Sequence, residues 1–241
     1  MTTLQHPGKP VVARWRIPAY WWIVLSSLAI ATFAVTPYLV SSLPVLAKGN
    51  VGLSRNYLDR GLLIHSALYV HVACAGLALV LSPMQFATRI RTRAPRVHRV
   101  IGRVVLVAIA LGGSAGIVIS TVSEAGLVGT IGFGLLGVFW IGSALSAFRA
   151  IRRGKVDEHR RWMIRTFALT YAGVTLRIWQ PLLTGLLTAL GLDATAAWNR
   201  AYTVMPFLCW VPNLLLTQWL LIRKNGAPQE ANQLANPRAS R

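Results

Sequence analysis

The chain has 241 residues, 54% of them hydrophobic and only 13% charged, against about 25% charged in an ordinary soluble domain. With a mean hydropathy of +0.52, this excludes a disordered chain and argues against a water-soluble enzyme. The 25 Lys and Arg against 6 Asp and Glu give a net charge of +19, a balance that in a soluble protein points to nucleic acid, so the positions of the charges have to decide.

Residues 1–19 are a short polar segment. The first apolar run, Tyr20–Val45, is far longer than the roughly 7–15-residue core of a signal peptide, and no small-residue cleavage site follows it. It reads as an uncleaved first helix, with Trp15, Trp21 and Trp22 in an interfacial aromatic belt. A bilayer core of about 30 Å needs about 20 apolar residues per helix. Five further segments qualify: Leu62–Phe86, Ile101–Val122, Leu127–Phe148, Trp162–Leu187 and Ala201–Ile222. Pro206 and Pro212 predict a kink in the last. The Ala/Asn/Pro-rich tail 223–241 reads as disordered. The expectation is one all-α domain over 20–222, a polytopic six-transmembrane-helix bundle.

The basic residues set its orientation. Twenty of the 25 fall before the first span, in the second and fourth loops, or in the tail. Four lie on the other side (Lys48, Arg55, Arg60 and Arg200), and the remaining one is Arg177. The positive-inside rule then puts both termini and the even-numbered loops in the cytoplasm. Most of the net charge is therefore topological and the nucleic-acid reading falls away. Anionic lipid headgroups are the expected neighbours of the basic loops.

Cys74 and Cys209 sit in apolar runs and give neither a disulfide framework nor a metal pair. Ala108, Gly112, Gly116 and Ser120 recur every four residues along the third span, a small-residue face suited to close helix approach. Gly129, Gly132, Gly134, Gly137 and Gly142 give the fourth span the same capacity.

Polar residues inside the spans are the candidate site. Arg177 falls near the middle of the fifth span, where an arginine costs about 2.5–3.5 kcal/mol on insertion scales. No span carries an Asp or Glu. Its face also holds Thr166, Thr170, Gly173, Pro181 and Thr184, with Gln180 beside it. Either an anionic ligand in a polar cavity or neighbouring carbonyls and hydroxyls must satisfy it. His71 lies within the second span, with Gln85 on the same face; Asn213 on the sixth extends the polar interior. A neutral imidazole in such a place is either a packed hydrogen-bonding group or a haem ligand. His98 and His159 mark the cytoplasmic edges of the third and fifth spans, which run in the same direction. As neighbours they could clamp one haem iron, with Arg103 and Arg165 toward the propionates; the alternative is two interfacial histidines in basic loops. HExxH, GxSxG, P-loop and dinucleotide motifs are absent from the sequence. The lack of an intramembrane carboxylate disfavours a carboxylate proton relay.

Two blocks carry a resemblance. HVACAGLALVLSPMQFATRIRTRAPRVHRVIGRV (His71–Val104) has the form H-x5-L-x4-P-x-Q-F followed by R-x-R-x-P-x-x-H-R-x-x-GR. DEHRRWMIRTFAL (Asp157–Leu169), with GVTLR (Gly173–Arg177) downstream, has the form HRxWM-x-R. Over roughly 65–185 the chain resembles the bacterial membrane family catalogued as domain of unknown function 2306. The resemblance implies that His71, Gln85, His98, Arg103, His159, Arg165 and Arg177 are a shared polar set. Ser82 stands where the pattern has a Gly. That family name carries no activity, so three readings stay open: a redox protein binding b-type haem and quinone, a binder or carrier of an anionic amphipathic small molecule or lipid, and a structural membrane subunit.

Overall fold

The computed structural model describes residues 16–49 and 53–222; the expected tail 223–241, Trp15 and most of the N-terminal segment lie outside the described residues. No strand occurs among the described residues. Five helices are long and apolar enough to cross a membrane: Pro18–Val40, Leu62–Phe86, Pro95–Ser120, Gly126–Arg152 and Ala194–Ile222. Large apolar side chains point outward, with Phe33 at 71% and Leu127 at 74% exposure. Such a surface is unstable in water and is what a lipid-facing bundle presents.

In chain order the described residues form α1 (Arg16–Val40), the short α2 (Leu43–Lys48) and α3 (Ser54–Leu58), and α4 (Leu62–Leu81). A 3-10 turn over Ser82–Phe86 and the short α5 (Thr88–Arg93) lead to α6 (Pro95–Ser120) and α7 (Gly126–Arg152). Then come α8 (Val156–Thr170), α9 (Ala172–Ala189) and α10 (Ala194–Leu208).

The boundaries correct the sequence reading in four places, one of them the last span, which begins at Ala194 and not at Ala201. The first helix ends at Val40, and Val45 belongs to α2, which Pro44 helps to start. The third helix begins at Pro95, six residues before the expected Ile101. A hydropathy reading stops at arginines, but arginine is a good helix former whose stem follows apolar surface, and proline suits a first helical position. The expected fifth span is two helices meeting at Tyr171, whose hydroxyl lies 2.8 Å from Ser26 Oγ of α1. The expected kink is present: α10 ends at Leu208, the chain turns at Cys209–Trp210, and 211–222 is helical again. Pro212 has no N–H for the Leu208 carbonyl, and its ring crowds that carbonyl, so the helix cannot continue.

Small residues set the packing, as the sequence spacing predicts. A Cβ on Gly112 would meet Cys74 Cβ at 3.1 Å and the Ala75 nitrogen at 3.2 Å, so α4 and α6 touch almost backbone to backbone. A Cβ on Gly132 would meet Pro206 backbone atoms at 2.9 Å, which fixes α7 against α10. Ile109, Val105, Ala108, Trp140, Leu169 and Cys209 form the core between α4, α6, α7, α8 and the turn after α10. On one end, α2 and α3 pack Leu43 and Tyr57 onto Leu68. There Asn56 Nδ2 donates to Val122 O at 2.6 Å and His65 Nε2 to Tyr57 O at 2.7 Å. Burial pushes the Tyr57 phenol up to about 12.

The order of paired residues gives the directions. Cys74 meets Gly112, and Gln85 meets Gly102, so α4 and α6 are antiparallel. Ile117 meets Gly137, and Ile141 meets Gly113, so α6 and α7 are antiparallel too. His159 bonds Ala147, Thr166 bonds Ser143 and Trp140 bonds Thr170, so α8 runs back along α7. Phe133 stacks with Tyr202 and Phe139 with Trp210, so α7 and α10 run parallel.

Candidate functional site

A polar layer crosses the middle of the bundle. Its centre is Arg177, partly buried on α9. One guanidinium nitrogen, Nη1, donates to Gly173 O of its own helix at 2.9 Å. The other N–H groups have no hydrogen-bond partner among the described residues. The guanidinium lies within electrostatic reach of Tyr38 on α1, His71 on α4 and Cys209. The described Asp and Glu residues (59, 124, 157, 158 and 193) all sit at helix ends or connections, away from this layer. A guanidinium that keeps its charge in such a place calls for an anion or dipole.

His71 faces the small-residue stripe of α6. Its Nδ1 is 2.8 Å from Gly112 O and sits over Gly116, where a Cβ would approach Nδ1 to 2.9 Å. A carbonyl can only accept, so Nδ1 carries the proton and Nε2 keeps its lone pair. Beside this, Asn213 Nδ2 reaches Ala168 O, Thr175 Oγ1 and Cys209 O at 3.1–3.3 Å. Asn213 thereby fills the carbonyls freed at the two helix breaks. Gln180 is 3% exposed and donates to Trp198 O at 3.2 Å, while its Oε1 and the neighbouring Thr184 Oγ1 are buried without a partner.

Other members of the sequence-derived set lie elsewhere. Thr170 belongs to the core: Trp140 Nε1 donates to its hydroxyl at 2.9 Å. We expect Thr170→Val to leave the indole N–H buried and unpaired, at a cost of about 1–3 kcal/mol. A lowered thermal midpoint in detergent, with a changed near-ultraviolet dichroism of Trp140, is the measurement; an unchanged midpoint refutes it.

Gln85 faces α6 as His71 does: in the 3-10 turn that begins at Ser82 its Nε2 is 3.4 Å from His98 O and its Oε1 lies beside Gly102. His98 is within electrostatic reach of His159, Arg91 and Arg99, and its Nδ1 is buried without a partner. His159 donates Nδ1 to Ala147 O at 2.8 Å, which again leaves Nε2 free.

Arg165 and Arg103 each border a cavity against α7. The Arg165 cavity is about 460 Å³ and lies between α7, α8 and 211–222; Trp162, Gly142 and Gln218 are among its walls. Arg165 donates Nε and Nη2 to Gln218 Oε1 at 3.1 and 2.9 Å and lies 4.8 Å above the Trp162 ring. The Arg103 cavity is about 400 Å³, between α6 and α7. Neither cavity is walled by His71, His98 or His159. Gln218, Tyr38 and Tyr171 are the polar partners that sequence reasoning missed. A glutamine inside the apolar run TQWLLI was the readable signal for the first.

Among the described residues no three His, Cys, Asp or Glu side chains converge as a metal-ion site. A haem iron clamped by two histidines needs no such group.

The fold and this layer define a multi-pass membrane protein, an all-helical bundle with polar groups held at bilayer depth. Residues 68–222, nearly two thirds of the chain, match the family described as Predicted membrane protein (DUF2306), and the chain belongs to that family. The match runs through the last helix, beyond the two motif blocks. The chain matches no curated protein and no solved structure.

Proposed function

We propose that the protein is a six-span bacterial inner-membrane protein with both termini in the cytoplasm. The sixth crossing is supplied by α8 and α9. Parallel α7 and α10 favour this count, because a chain that leaves α7 and enters a parallel neighbour must cross back between them. The arginine distribution of the loops supports the orientation.

Within that bundle the reading best supported is a binder or carrier of an anionic amphipathic small molecule or lipid, anchored at Arg177. One observation carries it: a partly buried guanidinium with a single bond to its own helix and no acid in reach. The test is mass spectrometry of small molecules and lipids retained by gently purified protein. Wild type should carry an anionic species that Arg177→Leu lacks; identical profiles defeat the reading.

A second reading, b-type haem with a quinone in the bundle, rests on the imidazoles. His71 and His159 both donate Nδ1–H to backbone carbonyls, the arrangement that orients metal-ligating histidines and leaves Nε2 basic. Protein purified from haem-replete cells should then show a Soret band that His159→Ala loses. A featureless visible spectrum rules this reading out.

A further inference from the structure

We infer that the Arg165 cavity is a binding site for one anionic phospholipid, with the phosphate at Arg165 and an acyl chain along α7. This does not rest on the Arg177 reading. Arg165 lies on α8, on the other side of the Tyr171 break from Arg177 on α9.

The cavity has the two chemistries such a lipid requires. Its long walls are apolar: Val138, Phe139, Leu169, Leu214 and Leu215. Leu215 is 64% exposed and Val138 53%, so the trough opens sideways to where lipid tails run. Its volume of about 460 Å³ falls within the roughly 300–1,000 Å³ of ligand pockets. At one end stands Arg165, aimed by two bonds to the neutral Gln218 oxygen and by the Trp162 ring. Gln218 orients this cation without neutralising it, and the remaining guanidinium N–H groups stay available to a phosphate. The end of α7, the α7–α8 connection and the start of α8 carry Arg149, Arg152, Arg153, Arg160 and Arg161, and Arg161 lies within electrostatic reach of Arg165. The ion pair there, Lys155 with Glu158 at 3.6 Å, joins two other residues. The end of the cavity is thus a net cation at the edge of an apolar trough.

Gly142 supplies an independent handle. It lines the cavity, and a Cβ built on it meets nothing within 4 Å. A larger side chain there fills the trough without pressing on a neighbour, and glycine is a poor helix residue, so Gly142→Leu should fold.

The experiment is native mass spectrometry of delipidated full-length protein titrated with phosphatidylglycerol or phosphatidylcholine. Wild type should retain phosphatidylglycerol in preference to phosphatidylcholine. Arg165→Gln should weaken it about fivefold, the effect of one arginine at an anionic headgroup. Gly142→Leu, with every charge intact, should also weaken it. Glycerol phosphate, which has no acyl chain, should not displace the lipid. Equal binding by wild type, Arg165→Gln and Gly142→Leu overturns the site. So do equal retention of the two lipids and displacement by glycerol phosphate.

Discussion

Arg177→Leu is expected to raise the thermal midpoint of the purified protein by several degrees while removing its retained ligand. The native guanidinium is partly buried within reach of Tyr38 and His71, and its one hydrogen bond goes to Gly173 O, already an acceptor within the same helix. Leucine deletes the desolvation cost, about 2.5–3.5 kcal/mol on insertion scales, and leaves no buried acid stranded, since none is near. Fluorescence-detected thermal unfolding in detergent after delipidation reads the sign. A large drop instead would mean that Arg177 is a structural tie, and would remove the case for an anion there. A protein that keeps an arginine it would be more stable without is using it.

Gly132→Ala should be among the most damaging single-methyl additions to this bundle. The new Cβ would lie 2.5 Å from Pro206 Cβ and 2.9 Å from the Pro206 carbonyl carbon and oxygen. Two of these atoms are backbone and the third belongs to a rigid ring, so α7 and α10 must separate. Overpacking of this kind costs about 1–3 kcal/mol, set against up to about 1 kcal/mol of gained helix propensity. Gly142→Ala on the same helix is the matched control, since it gains the propensity and meets open space. A lower midpoint for the first and an equal or higher one for the second is expected. If the two variants behave alike, helix propensity rather than interhelical contact governs these glycines.

How far the sequence could be read differs by kind of information. Helix existence was legible because the bilayer imposes a length and a polarity that one chain displays by itself. The close face of α6 was legible for a similar reason: Ala108, Gly112, Gly116 and Ser120 are a local period, and Gly112 and Gly116 do meet α4. What was not legible depends on local geometry or on distant pairs. The break at Tyr171 follows no proline. The Arg165–Gln218 pair spans 53 positions, and no local pattern announces it. Thr170 looked like cavity lining because polar residues in a span suggest one, but a buried tryptophan N–H needed its hydroxyl.

The unequal packing of the helices also has a meaning for biogenesis. Pro18–Val40, the first in chain order of the described apolar helices, is strongly apolar, and only 11% of its most apolar stretch is buried within the bundle. It can partition into lipid unaided and wait there, since little of its surface needs a protein partner. The segment carrying Arg177 is the opposite case: it is not among the five apolar enough to cross alone, and its Thr170 and Thr175 hydroxyls bond to α7 and to the turn after α10. In the six-span reading, membrane entry of that segment would therefore be coupled to assembly with α7 and α10. Damage at the α7–α10 contact would surface first as a quality-control defect during insertion, before it appeared as an unstable mature protein.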